Sequence, residues 1–146
     1  MKKDEVIEKK SQLIEYFRNK ETPKKNWMIG TEHEKFIFNS TSYEPVSYYG
    51  ENGIEKLLLI LKDNSGWKAI YENSNIIGLI ADDNSSISLE PGGQFELSGA
   101  ALKNLHMTCL ETGTHLKELS NALNKLNLGM TGFGFHPLSS RDEFNS

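Results

Sequence analysis

The sequence predicts an α+β fold in which an antiparallel sheet is covered by helices on one side. Two observations predict it. Short segments of period-two alternation follow one another between Trp67 and Glu90, separated by turns of only a few residues, which makes consecutive strands antiparallel neighbours. Around them lie three segments with apolar residues at helical spacing, at 4–20, 54–61 and 102–127. The order is helix, strand, helix, three or four strands, helix, strand.

Residues 4–20 read as an amphipathic packing helix, with Val6, Leu13, Ile14 and Phe17 at helical spacing, Asp4 as N-cap and Pro23 ending the segment. Trp27 to Phe38 alternates as a strand. Met28, Gly30, Glu32, Glu34, Phe36 and Phe38 fall on one face, and Ile29, Thr31, His33, Lys35 and Ile37 on the other. Residues 39–53 form a loop rich in Ser, Tyr, Pro and Gly. Ile54, Leu57, Leu58 and Leu61 are the stripe of a sheet-covering helix, closed by Asn64-Ser65-Gly66 with Gly66 left-handed.

Trp67–Tyr71, Ile76–Ile80 and Ser86–Glu90 make a meander. Asp82 and Asp83 read as turn formers rather than ligands. Pro91-Gly92-Gly93 breaks the third strand as a hairpin or bulge, and Gln94–Leu97 resumes it. The long helix from Leu102 to about Asn127 carries Leu102, Leu105, Cys109, Leu116, Leu119, Leu123 and Leu126 as its apolar stripe, with His106 and His115 on its surface. Met130–Phe135 reads as a last strand, bare on the face of Gly132 and Gly134, and the residues from Leu138 to Ser146 add no closing element.

Composition narrows the function. A chain of 146 residues supports one domain with a real core. The net charge of −4 and the absence of any basic run beyond a lysine pair speak against a nucleic-acid partner. The single cysteine, Cys109, excludes an internal disulfide and a cysteine zinc site. Leu57–Leu61 is the longest purely apolar run, far too short to span a bilayer, and the charged N-terminus lacks a signal-peptide core. The expectation is a soluble cytoplasmic protein with no membrane partner.

Glu32, Glu34, Glu90, Gln94 and Glu96 lie on two segments that could be neighbouring strands. Carboxylates on one strand face repel unless a cation sits between them or lysines pair with them. Glutamates two apart on a strand place their carboxylates about 7 Å apart. That separation suits two magnesium ions along a polyphosphate. The solvated or lysine-paired alternative stays open at this point.

Met28-Ile29-Gly30-Thr31-Glu32-His33-Glu34-Lys35-Phe36, Ile76-Ile77-Gly78-Leu79, the stretch from Ser86 through Glu90-Pro91-Gly92-Gly93-Gln94-Phe95-Glu96 to Gly99, and Leu105-His106-x-Thr108-Cys109 resemble glutamate–cysteine ligases of the plant and proteobacterial type. The resemblance runs from about Trp27 to Pro137, with the motifs in the family's order. It implies a catalytic domain like that of glutamine synthetase, with residues 1–146 as its N-terminal part, truncated at the C-terminal end. It implies ATP-dependent joining of L-glutamate to L-cysteine through a γ-glutamyl phosphate, the first step of glutathione synthesis. Magnesium ligands map onto Glu32, Glu34 and Glu96, and Glu90, Gln94, Gly92 and Gly93 become candidates for contact with substrate or ATP. Plant members carry regulatory disulfides, and Cys109 has no partner here for one. Two alternatives remain: a non-catalytic short protein that binds magnesium nucleotide or a partner, and a related ligase with another amine.

Overall fold

The computed structural model describes residues 6–138 and 140. Its elements are α1 (Lys10–Arg18), β1 (Glu32–Asn39), α2 (Ile54–Ser65), β2 (Lys68–Glu72), β3 (Asn75–Ile80), β4 (Ser86–Glu90), β5 (Gln94–Ser98), α3 (Leu105–Lys125) and β6 (Leu128–Thr131). The strands form one six-stranded antiparallel sheet in the order β2-β3-β4-β5-β1-β6. The meander β2 to β5 is built from neighbours in sequence, whereas β1 joins its far side from outside the run.

One face of the sheet is packed by the helices; the other, called the open face, carries no helix and is crossed near Phe36 and Gln94 by the segment 133–138. Leu79, Ile87, Phe95, Leu97 and Leu128 point to the packed face and meet Ile54, Leu57, Leu58 and Leu61 of α2 and Leu119, Ala122 and Leu123 of α3. Burying each large side chain of this kind contributes about 1.5–3 kcal/mol. The α2 stripe is therefore as the spacing predicts. Gly66 ends the helix at φ 73°, where a side chain would be strained.

The turns also follow their chemistry. Asn73 and Asn84 adopt φ of 54° and 68° between strands. Asp83 accepts from the Ser85 hydroxyl at 2.6 Å and its N–H at 3.0 Å, which holds its carboxyl below the usual range. Pro91-Gly92-Gly93 is a three-residue hairpin between the paired residues Glu90 and Gln94, with both glycines near φ 80°.

Gly78 is a different case. It faces the open side within β3, opposite Ser88, and a Cβ there would lie 2.6 Å from the Ile87 carbonyl oxygen. Backbone in the middle of a sheet cannot yield without opening the ladder. Gly78→Ala is expected to lower stability by roughly 1–3 kcal/mol, read as a lower urea midpoint at unchanged slope.

Several expectations need correction. The first helix spans Lys10–Arg18, and the proposed cap Asp4 lies outside the described residues. Its start is set instead by Gln12, whose side-chain oxygen accepts the N–H groups of Glu8 and Lys9. None of its residues is buried, so its apolar stripe is not a packing face here. The first strand begins at Glu32; Ile29 makes only a lone bridge to Leu102, and Trp27 and Met28 are exposed.

The last helix begins at Leu105, where the Asn104 side chain caps the Met107 N–H at 3.1 Å. Leu105 and Cys109 are exposed, and His115 is buried at 4% exposure rather than on the surface. The face that meets the sheet runs through His115, Leu119, Ala122 and Leu123, because only the second half of α3 lies over the strands. The last strand is Leu128–Thr131, not Met130–Phe135. Its close-approach glycine is Gly129, which lies under the Phe38 ring. Part of the C-terminal tail, at 139 and 141–146, lies outside the described residues.

Candidate functional site

β1, β5 and β4 lie side by side, and their register assembles the carboxylates. Glu34 pairs with Glu96, and Glu96 in turn faces Ser88. One row toward the hairpin, Phe36, Gln94 and Glu90 align; one row away from it, Glu32, Ser98 and Ser86 align. Side chains alternate along a strand, so all of these point to the open face, opposite the core. The two sequence segments thus meet as adjacent strands.

Hydrogen bonds orient the carboxylates. The Gln94 amide donates to Glu34 Oε2 at 3.1 Å, and the Ser98 hydroxyl donates to Glu96 Oε1 at 3.0 Å. The Ser88 hydroxyl reaches Glu90 Oε1 at 3.3 Å. Glu32 and Glu34 are exposed, whereas Glu96 is 8% exposed in the middle of the face. Ion pairs form between Lys62 and Asp63 and between Lys68 and Asp82, and neither involves these carboxylates. Among the described residues no lysine forms an ion pair with these carboxylates, while Glu32 and Glu34 are solvent-exposed, as the solvated alternative has it.

Like charges directly opposite across a ladder destabilise it. Glu34 and Glu96 have that relation. Their hard oxygen donors suit magnesium, which keeps several waters and takes one or two carboxylates. Among the described residues, no three His, Cys, Asp or Glu side chains converge as a closed metal cage. Glu32, one row away from the pair, is thus a neighbour of the Glu34–Glu96 centre rather than part of a compact triad. Gly92 and Gly93 sit at the hairpin tip beyond Glu90 and Gln94, and their positive φ angles account for them as turn formers.

Reading the residues missed what lies behind this site. Lys35 points the opposite way from Glu34 and is 1% exposed, its ammonium donating to the His33 carbonyl at 2.5 Å. Burial pushes it down to about 8, against the opposing pull of the Glu96 charge. His33, beside it on that face, is also lowered, by burial and then by Lys35. The serines were legible: alternation alone places Ser88 with Glu90 and Ser98 with Glu96. The burial of Lys35 was not, because strand spacing assigns a face but not the depth of its cover.

Comparisons with known proteins bear on the same residues. A profile of Glutamate-cysteine ligase family 2 (GCS2) matches residues 28–145. A glutamate–cysteine ligase A, chloroplastic, of Oryza sativa subsp. japonica is 44% identical over 128 residues, covering 88% of this chain and 25% of the relative. The chloroplastic glutamate–cysteine ligase of Medicago truncatula is 42% identical over 134 residues, covering 92% of this chain and 26% of the relative. That of Arabidopsis thaliana is 40% identical over 131 residues, covering 90% and 24%. The chain spans about a quarter of the length of the curated relatives it matches. The expectation of a cytoplasmic protein is contradicted, since these relatives are named as chloroplastic. Among the described residues no helix is long and apolar enough to cross a membrane. With the profile extending over most of its length, this chain belongs to glutamate–cysteine ligase family 2.

Proposed function

We propose that the open sheet face is the metal–nucleotide platform of an ATP-dependent glutamate–cysteine ligase. The observation that carries this reading is the in-register Glu34–Glu96 pair, two like charges facing each other on the sheet face away from the helices, in a chain of this family. Residues 1–146 are then the N-terminal part of one catalytic domain, with a sheet arranged as in glutamine synthetase. The rest of the site, including the basic groups that hold phosphates and the glutamate α-carboxylate, comes from further residues of the longer enzyme.

In this reading the side-chain carboxylate of L-glutamate attacks the γ-phosphorus of ATP, releasing ADP and forming γ-glutamyl phosphate. The amino nitrogen of L-cysteine then attacks the acyl carbon, phosphate leaves, and the nitrogen gives up a proton as the amide of γ-glutamylcysteine forms. Bound magnesium supplies positive charge that offsets the charge building on the phosphoryl oxygens. Glu34 and Glu96 would hold it, with Glu32 beside them. Gln94 fixes the Glu34 carboxylate and Ser98 fixes Glu96. Glu90, held by Ser88, extends the acidic face toward the hairpin, where Gly92 and Gly93 leave room for close approach by a ligand.

The test is to supply the natural protein with ATP, magnesium, L-glutamate and L-cysteine, and to measure ADP and the mass of the product. ADP release that needs cysteine, with γ-glutamylcysteine formed, supports the reading. A marked preference for another amine moves the protein to a related carboxylate–amine ligase. No ADP, together with a native mass near 16.5 kDa on an antibody blot, leaves the non-catalytic magnesium-nucleotide or partner-binding alternative. Within the ligase, Ser98→Ala is expected to raise the magnesium concentration for half-maximal rate by about tenfold, the usual effect of losing a group that orients a metal ligand. An unchanged magnesium dependence removes Ser98 from that role.

A further inference from the structure

The first half of α3 stands over a cleft of about 380 Å³ on the packed side of the sheet, away from the carboxylates. Buried Leu97 lies at its floor, and Trp67, Leu102, Met107 and Leu110 form its apolar wall. The bridge between Ile29 and Leu102 sets one more apolar side chain next to it. Met107 is 42% exposed and Leu110 73%, whereas Leu119, further along the same helix, is fully covered by the core.

Polar groups beside the cleft are engaged within the fold. Asp83 accepts from the Ser85 hydroxyl, and Glu111 accepts the Ala100 N–H at 2.7 Å and lies against Gly99. The wall that remains open is apolar. Water in the cleft meets side chains that offer it few hydrogen bonds. An apolar group placed there displaces that water and buries the exposed stripe of α3, which is favourable in proportion to the apolar area covered. A rimmed apolar patch of this kind marks an interaction surface.

Two observations indicate the occupant. The chain spans about a quarter of the length of its relatives, so the larger part of such an enzyme lies outside residues 1–146. The patch is also small, a handful of side chains, against about 20–30 residues on each side of a stable dimer interface. A second copy would be held weakly by it. A segment of the same chain is held at high effective concentration and loses far less freedom on docking. We propose that the cleft under α3 is filled by an apolar segment of the enzyme's own chain from outside residues 1–146, with large side chains packed against Trp67, Leu102 and Leu110. This inference rests on the chain being part of a longer enzyme, not on the role proposed for the open face.

The test places photoreactive p-benzoylphenylalanine at position 110 of the natural full-length protein, irradiates it, and maps the cross-link by peptide mass spectrometry. The expected product has the mass of one chain and joins position 110 to an apolar peptide from outside residues 1–146. A doubled mass on a denaturing gel assigns the cleft to a second copy and overturns the proposal. So does a link confined to residues 1–146, or no link at all. Leu110→Ala in the same full-length protein gives an independent reading. At an exposed helix position alanine is neutral or stabilising, because its helix propensity is the highest. Under a docked segment the same change removes buried contacts, and a fall in melting temperature of at least about 3 °C is expected. A smaller fall, or a rise, shows Leu110 in water and overturns the proposal.

Discussion

Replacing Glu34 or Glu96 by glutamine is expected to cut ligase turnover by roughly a hundred- to a thousandfold, the scale of losing a principal electrostatic stabiliser of a transition state. The same substitutions should make the folded protein more stable in the absence of metal. The two carboxylates pair directly across β1 and β5 on the face that no helix covers, Glu34 exposed and Glu96 largely buried. Like charges so placed oppose folding by roughly 0.2–1 kcal/mol. Glutamine keeps the size and the hydrogen bonds of the side chain while removing one charge of the pair. Activity and stability therefore move in opposite directions, as they do where a site is arranged for a ligand rather than for the fold. Thermal melts with and without magnesium chloride check the second half. Magnesium should raise the melting temperature of the parent protein by binding its native state, and do so much less in either variant. Near-normal turnover in Glu34→Gln or Glu96→Gln would remove that residue from the proposed metal site.

The second large effect concerns acid. His115 sits under α3 beside His33 and Lys35 of β1, and shares its cavity with Glu111 and Glu118 of its own helix. Its folded-state value is about 3, well below the ordinary imidazole value of 6.5. Well above pH 6.5 the group is neutral in both folded and unfolded chains and contributes nothing to the pH dependence. As the pH falls below that, the unfolded chain binds a proton that the folded chain cannot. Stability then drops by about 1.4 kcal/mol per pH unit until the folded group itself titrates. About 3 kcal/mol is lost by about pH 4.5, a large part of a small domain's total. His115→Leu should flatten this part of the curve while roughly preserving side-chain volume. Urea unfolding between about pH 7 and pH 4.5 measures it. An identical slope in parent and variant would show that other groups govern the acid limb.

Local spacing determined much of this chain. Alternation put Glu32 and Glu34 on one strand face and left Lys35 on the other. The Leu57-Leu58-Leu61 stripe marked α2, and Asp82-Asp83-Asn84 and Pro91-Gly92-Gly93 marked turns, since those residues accept backbone angles or local hydrogen bonds that others resist. The long stretch around Glu90 to Glu96 marked the family. These are properties of neighbours in sequence, and neighbours in sequence are what periodicity reports.

Tertiary structure decided which segments meet and how deep each residue lies. The hydrogen bond from Gln94 to Glu34 joins residues 60 positions apart, and only the register of β1 against β5 sets Glu34 opposite Glu96. The same holds for cover. The apolar stripe of α1 and the first half of α3 meet no core, while Lys35 and His115 are buried. An apolar pattern shows which face a helix could bury. Whether that face is covered, and whether a polar side chain is enclosed with it, depends on the element stacked above, which no local pattern encodes.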